Sequence, residues 1–163
     1  MATIRNGRIL TMRFLSEKNR KCRETLRCSC DDKNVYFLVE VLDRSLLRGD
    51  YATVYLSPDD SKSLANGAKR IQVSMDGLKS TETYAGKWNS AEMGVEVKTY
   101  VCNDTNEDRI DNYGYIAEIS IPRSSLTISS GQVLVNFSIT DNKEEEAVSD
   151  VSSISRWIPV AGL

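Results

Sequence analysis

The amino-acid sequence predicts an all-β fold, an antiparallel β-sandwich of two facing sheets of the immunoglobulin-like or jelly-roll type. Three observations predict it: short segments with the period-two alternation of strands, turn-forming clusters between them, and almost no segment with helical periodicity. Strands recur at spacings of roughly 10–20 residues, which favours a sandwich over alternating strands and helices. We expect about eight to ten strands in the two layers.

The first strands form a hairpin. Residues 26–30 alternate with period two, and residues 35–42 are an apolar, β-branched and aromatic run of strand length. The four residues between them, 31–34, are Asp-Asp-Lys-Asn, which has hairpin-turn chemistry because Asp and Asn tolerate left-handed conformations.

The remaining elements follow the same logic. Further strands are predicted at residues 9–15, 51–56, 70–75, 94–101, 115–121 and 132–140, separated by clusters rich in Asp, Asn, Gly, Pro and Ser. Two short helical segments are predicted, at residues 61–68 and, after Pro122, at residues 123–126. No linker divides the chain, so residues 1–163 are expected to form a single domain.

Composition excludes several classes of function. The formal net charge of −2 gives no electrostatic reason to expect a nucleic acid or an anionic membrane as partner. An early basic cluster is interpreted as a solvated face. Its members are Arg13, Lys18, Arg20, Lys21, Arg23 and Arg27. The chain lacks histidine, which removes histidine-based nucleophilic machinery and the commonest transition-metal ligand.

Membrane and targeting signals are also missing from the sequence. No apolar run approaches the ~18 residues of a transmembrane helix, and the first residues lack the apolar centre of a signal peptide. Two interpretations remain, an intracellular protein or a piece excised from a larger chain, and the family resemblance described below favours the second.

The cysteines do not form a metal signature. Cys28 and Cys30 lie on one face of a strand, which is too regularly extended for a zinc knuckle. In an oxidising compartment Cys102 could pair with Cys22, Cys28 or Cys30, and buried free thiols are the alternative. Carboxylate pairs, such as that at residues 59–60, occur in turns, where Asp is expected for backbone reasons, so we predict no enzymatic activity.

Several segments, taken in order, resemble the family 9 carbohydrate-binding modules. They are the hairpin at residues 25–43, residues 50–57, Gly114–Pro122 in the sequence GYIAEISIP, residues 133–142 in the sequence VLVNFSITDN, and the pair Arg156-Trp157. The resemblance covers roughly residues 23–160 and implies a non-catalytic accessory domain of a larger secreted or surface protein. It implies a polysaccharide or oligosaccharide as partner and an extracellular or cell-surface location.

The sugar clamp of that family is not kept. One clamp tryptophan of the family falls in the loop at residues 43–49, which has no tryptophan here, and the second falls near or beyond Leu163. The polar contacts of the family fall on Thr53, Gln72 and Ser138, of which Gln72 alone keeps a comparable reach. A structural or protein-interaction sandwich that has lost its sugar site is therefore the alternative function.

Four residues are predicted to bind carbohydrate if a ligand is bound. Trp88 and Tyr84 supply aromatic faces for stacking on a sugar ring, and Gln72 and Asn142 supply planar amides for hydroxyl groups. The alternative for Trp88 is packing on the rim of the sandwich, whereas Trp157 is expected in the core.

No resident cofactor is predicted, although two alternatives remain. Calcium could be held by oxygens of Asp141, Asn142 and the Asp31-Asp32 turn. Related sandwiches hold haem b, and here its axial ligands would have to be Met75 or Met93, with a lysine as the further candidate, because histidine is lacking.

Overall fold

The computed structural model describes residues 10–14, 22–43, 49–58, 64–103, 112–128, 131–140 and 158–161. Within these ranges the chain forms antiparallel strands and one short 3₁₀ turn, Arg123–Ser125. The strands are β1 (Leu10–Phe14), β2 (Cys22–Cys30), β3 (Asn34–Asp43), β4 (Tyr51–Ser57), β5 (Lys69–Ser74), β6 (Gly77–Tyr84), β7 (Trp88–Ser90), β8 (Glu96–Asn103), β9 (Asn112–Pro122), β10 (Gln132–Thr140) and β11 (Ile158–Ala161).

The strands belong to two sheets. Sheet A has the order β1-β2-β3-β9-β8, and sheet B has the order β11-β10-β4-β5-β6-β7. Every neighbouring pair is antiparallel, and the apolar sides of the two sheets share one core. The predicted all-β sandwich is therefore confirmed.

The alternation of side chains explains why the sheets face each other. In β3 the side chains of Val35, Phe37, Val39 and Val41 are buried, while the residues between them point away from the core. The same alternation holds in β9, β4 and β10 for the inward-facing set that completes the core. This set is Tyr115, Ala117, Ile119, Ile121, Ala52, Val54, Leu56, Val133, Val135 and Phe137. Burial of these faces from water is the main force that holds the layers together.

A hydrogen bond crosses this core between the sheets. The hydroxyl of Tyr115 in β9 donates to the carbonyl oxygen of Val73 in β5 at 3.1 Å. Tyr115 is only 1% exposed, so its ring fills the core while its hydroxyl has a partner. The pair therefore fixes the position of β9 relative to β5.

The predicted hairpin between β2 and β3 is confirmed. Asp31 closes its turn, because its Oδ1 accepts hydrogen bonds from the backbone N–H groups of Lys33 at 2.8 Å and Asn34 at 2.7 Å. The side chain of Arg123, which follows β9, donates to the carbonyl oxygen of Asp31 at 3.0 Å. The turn is thus tied to the C-terminal end of β9, the strand that pairs with β3.

This turn predicts an acid-sensitive contribution to stability. The backbone N–H groups of Asn34 and Lys33, together with the hydroxyl of Tyr36, lower the pKa of Asp31 below its usual range. A carboxyl with a lowered folded-state pKa stabilises the fold above its unfolded pKa, and that stabilisation is lost as the pH falls through the folded value. We expect Asp31→Asn to destabilise the domain at pH 6, and the difference from wild type to shrink below about pH 4. Urea unfolding at several pH values measures it, and a difference that is constant with pH would contradict the assignment.

The structure corrects the prediction at two places. Residues 64–68 of the predicted helix at 61–68 form a turn, in which the N–H of Ala68 donates to the carbonyl of Ala65 at 3.0 Å. Tyr84 and Trp88, which no predicted strand includes, both lie in strands, Tyr84 at the end of β6 and Trp88 at the start of β7. The short helix after Pro122 is confirmed as the Arg123–Ser125 turn.

Of the two alternatives left open for Cys102, a disulfide or a free thiol, the structure favours the thiol. Neither Cys28 nor Cys102 forms a disulfide, which excludes the pairings of Cys102 with Cys22, Cys28 or Cys30 in this structure. Cys28 lies in the core at 1% exposure, and burial, with a smaller effect of Cys30, raises the pKa of its thiol to about 12. Cys28 is therefore a protonated core side chain at neutral pH and not a reactive thiol.

Candidate functional site

The outward face of sheet B carries the candidate site. Directly opposed residues of antiparallel strands point to the same face, so the register defines cross-strand rows. One row consists of Tyr55, Arg70 and Glu82, and the next row consists of Thr53, Gln72 and Ser80. These residues alternate with the buried Ala52, Val54 and Leu56 of β4, which places both rows on the side of the sheet away from the core.

An aromatic cluster lies at one end of this face. The Trp88 ring contacts Tyr84 edge-on, with ring centroids 5.3 Å apart, and its centroid is 6.1 Å from that of Tyr55. Leu134 of β10 and Leu64 pack against the same group. We call these five residues the Trp88 cluster. Tyr55 and Leu134 are buried within it, whereas Trp88 and Tyr84 remain half-buried.

Arg70 holds one side of the tryptophan ring. Its guanidinium carbon lies 4.7 Å from the centroid of the Trp88 ring, a cation–π contact. The same guanidinium makes a two-point ion pair with Glu82, in which Nη2 donates to Oε1 at 2.9 Å and Nε donates to Oε2. Trp88 is consequently oriented by three neighbours, and the remaining exposed part of its ring is the surface that could stack on a ligand.

Gln72 is oriented by hydrogen bonds at both ends of its amide. Its Oε1 accepts from the hydroxyl of Ser80 at 2.7 Å, and its Nε2 lies 3.5 Å from Oγ1 of Thr53. Because an amide has two N–H groups and two acceptor lone pairs, each end keeps capacity for a further bond. Gln72 is half-buried and can still offer those groups to a ligand hydroxyl.

A set of buried polar side chains lies beside this row, along β4 and β10. Although they point away from the core, Thr53, Ser57, Asn136 and Ser138 are 8% exposed or less. The hydroxyls of Tyr55 and Ser138 share a hydrogen bond of 3.2 Å. Within the described residues, Nδ2 of Asn136 has no hydrogen-bond partner. The β4–β10 half of the face is thus closed to a large ligand, and the accessible half runs along β5, β6 and β7.

The structure brings together part of the predicted site. Trp88 and Tyr84 are in contact, and Gln72 lies on the same face, separated from them by the row that contains the Arg70–Glu82 ion pair. The predicted residue Asn142 lies outside the described residues, as do Asp141 and Trp157.

Tyr55 and Arg70 were missed by the sequence analysis. A signal for Tyr55 was available, since residues 51–56 alternate between Tyr or Thr and apolar side chains. The contact of Arg70 with Trp88 depends on a register that pairs three strands, which local sequence does not reveal.

The described residues that were considered as calcium or haem ligands take part in the fold itself. Both carboxylate oxygens of Asp31 accept hydrogen bonds in the turn, Oδ2 from the hydroxyl of Tyr36 at 2.8 Å. In the part of the chain that the structure describes, Asp, Glu, Cys and His form no group of three that could hold a metal ion. Met93 is buried in the core and Met75 packs against it, so both fill space between the sheets.

Fold and face together define a β-sandwich with a partly exposed aromatic cluster on one sheet. Among known proteins, the chain is similar to a segment of the endo-1,4-beta-xylanase C of Paenibacillus barcinonensis, with 29% identity over 114 residues. That alignment covers 69% of this chain but only 9% of the enzyme. No protein-family model matches the chain. Within the described residues, no helix could cross a membrane.

Proposed function

We propose that this chain is a non-catalytic carbohydrate-binding domain of the family 9 type, an accessory unit of a larger extracellular or cell-surface protein that acts on polysaccharide. The observation that carries the proposal is its similarity to a small segment of a much longer xylanase. A segment that makes up 9% of a large enzyme is short compared with the whole, as an accessory domain would be.

The geometry of sheet B supports the proposal. A sugar ring presents C–H groups that stack on an aromatic face and hydroxyls that pair with planar polar groups. The exposed part of Trp88 offers the first, with Tyr84 beside it, and Gln72 offers the second on the same face. The Arg70–Glu82 ion pair between them adds further donors and acceptors for hydroxyl groups.

One observation favours the second candidate function, a protein-interaction sandwich without a sugar site. Trp88 is in contact with Tyr84, Tyr55 and the Arg70 guanidinium, so much of its ring serves the packing of the domain itself. Both candidates keep the same fold, and binding measurements distinguish them.

The test is a titration of the domain with soluble xylan, xylohexaose and cellohexaose, followed by the NMR signal of the Gln72 side-chain amide. We expect at least one glycan to shift this signal. Trp88→Ala should then weaken the binding reported by Gln72 by about 1–3 kcal/mol, because the largest stacking surface of the site is lost. That loss corresponds to a Kd increase of roughly 5- to 150-fold.

Leu78→Ala is the matched control. Leu78 is 45% exposed on β6, so its truncation removes an exposed apolar side chain without touching the Trp88 cluster. Its affinity should equal that of the wild type. If no glycan shifts the Gln72 signal, or if Trp88→Ala binds as tightly as Leu78→Ala, the protein-interaction function is favoured instead.

A further inference from the structure

A concave surface lies on the outward face of sheet A, on the opposite side of the sandwich from the candidate site on sheet B. It is a groove of about 710 Å³ that crosses β2, β3, β9 and β8. Two cross-strand rows form it, one with Ser29, Tyr36, Ser120 and Glu96, the other with Arg27, Leu38, Glu118 and Lys98. With strands about 4.8 Å apart, the groove spans roughly 14 Å across the four strands.

Tyr36 is fixed in this groove by hydrogen bonds. Its hydroxyl donates to Oδ2 of Asp31 at 2.8 Å and accepts from Nδ2 of Asn34 at 3.2 Å. Asp31 is itself held by two backbone N–H groups of the turn. A ring oriented in this way loses little conformational entropy when a ligand stacks on it. Leu38, half-buried on the adjoining row, extends the apolar surface beside the ring.

The charged groups of the groove are balanced. Two cations, Arg27 and Lys98, are matched by two carboxylates, Glu96 and Glu118, among the residues that line it. Lys98 and Glu118 are directly opposed and exposed, yet they form no ion pair with each other. Arg27 forms an ion pair with Glu40 at 3.2 Å at the edge of the groove, so with Glu40 counted there is one more carboxylate than cation. A net charge this close to zero disfavours a strongly charged ligand, and the adjacent ammonium and carboxylate suit groups that both donate and accept hydrogen bonds.

We propose that this groove is a second glycan-binding site, which takes an uncharged oligosaccharide chain. A sugar ring stacks on Tyr36 and Leu38, and neighbouring hydroxyls of the chain donate to Glu118 and accept from Lys98. The inference extends the proposed carbohydrate function to another face and does not require the Trp88 cluster to bind, because the two surfaces share no residue.

The experiment is an NMR titration of the whole chain with xylohexaose and cellohexaose, performed on the wild type and on Trp88→Ala. We expect one of these sugars to shift the backbone signals of Leu38, Glu118 and Lys98 in both proteins, with the same Kd. Glu118→Gln should weaken binding at this face about ten-fold, since a charged acceptor is replaced by a neutral one. Tyr36→Phe keeps the ring for stacking but removes the hydroxyl that orients it, so its affinity should fall by about two- to five-fold, less than that of Glu118→Gln.

Glu92→Gln is the control for the charge change, because Glu92 is exposed and does not line the groove. The proposal is overturned if both sugars leave the sheet A signals unchanged. It is also overturned if Glu118→Gln and Glu92→Gln bind the sugar at this face with the same Kd. Shifts of the same signals with protein concentration, in the absence of sugar, overturn it in favour of contact with a second copy of the chain. Loss of the Gln72 response alone counts against the sheet B site and leaves this one standing.

Discussion

Replacement of Tyr115 by alanine is expected to lower the free energy of unfolding by about 3–5 kcal/mol. Tyr115 is among the largest fully buried side chains and lies in the core shared by the two sheets. Its removal leaves a cavity and also deletes the hydroxyl that donates to the carbonyl of Val73. Equilibrium unfolding in urea, with the midpoint and slope fitted together, measures the loss.

Tyr100→Ala provides the comparison. The same side chain is 54% exposed on the neighbouring strand β8, so its truncation should cost less than about 1 kcal/mol. Tyr115→Phe separates the two contributions, because it keeps the ring and removes the hydroxyl alone, at an expected cost of about 1–2 kcal/mol. Equal losses for Tyr115→Ala and Tyr100→Ala would refute the assigned core.

Asn136→Asp is expected to lower the free energy of unfolding by about 3 kcal/mol at pH 7. Asn136 is fully buried on β10, and its Oδ1 accepts a hydrogen bond from the N–H of Phe137 at 2.7 Å. The substitution keeps the shape and places a carboxyl where water does not reach. Burial raises the pKa of the introduced carboxyl, so the neutral form folds more readily than the charged form. The loss should therefore be small at pH 4 and should grow as the pH rises.

The matched substitution is Gln132→Glu on the same strand. Gln132 is half-buried at the start of β10, so the same amide-to-acid change leaves the charge near solvent. Its unfolding free energy should follow that of the wild type within about 0.5 kcal/mol between pH 4 and pH 8. A pH-independent loss for Asn136→Asp would contradict the burial of this position.

Most of the sandwich could be predicted from the sequence because its central strands have strong apolar alternation. The prediction was correct to within a few residues for the β2–β3 hairpin and for the strands β4, β5, β9 and β10. β6 was missed, since its residues, Leu-Lys-Ser-Thr-Glu-Thr-Tyr after Gly77, are half-buried or exposed and have no apolar face. β7 is three residues long, which is too short to show a period.

The candidate sites were less accessible to sequence analysis for a different reason. Trp88, Tyr84 and Gln72 could be selected by residue type alone, but their grouping depends on which strands are neighbours. The groove on sheet A joins β3 to β9, whose paired residues Leu38 and Glu118 are far apart in the chain. Residue type indicates what a side chain can bind, whereas the strand register decides which other side chains lie beside it.

The packing of the two sheets also has a mechanical consequence. The outward faces of the sheets point in opposite directions, and the two layers are about 10 Å apart. Two glycan chains bound at once to the two proposed sites could not touch each other. Occupation of one site would therefore leave the affinity of the other site unchanged. A domain with both sites would cross-link a polysaccharide network, and it would be held more tightly where the glycan chains are denser.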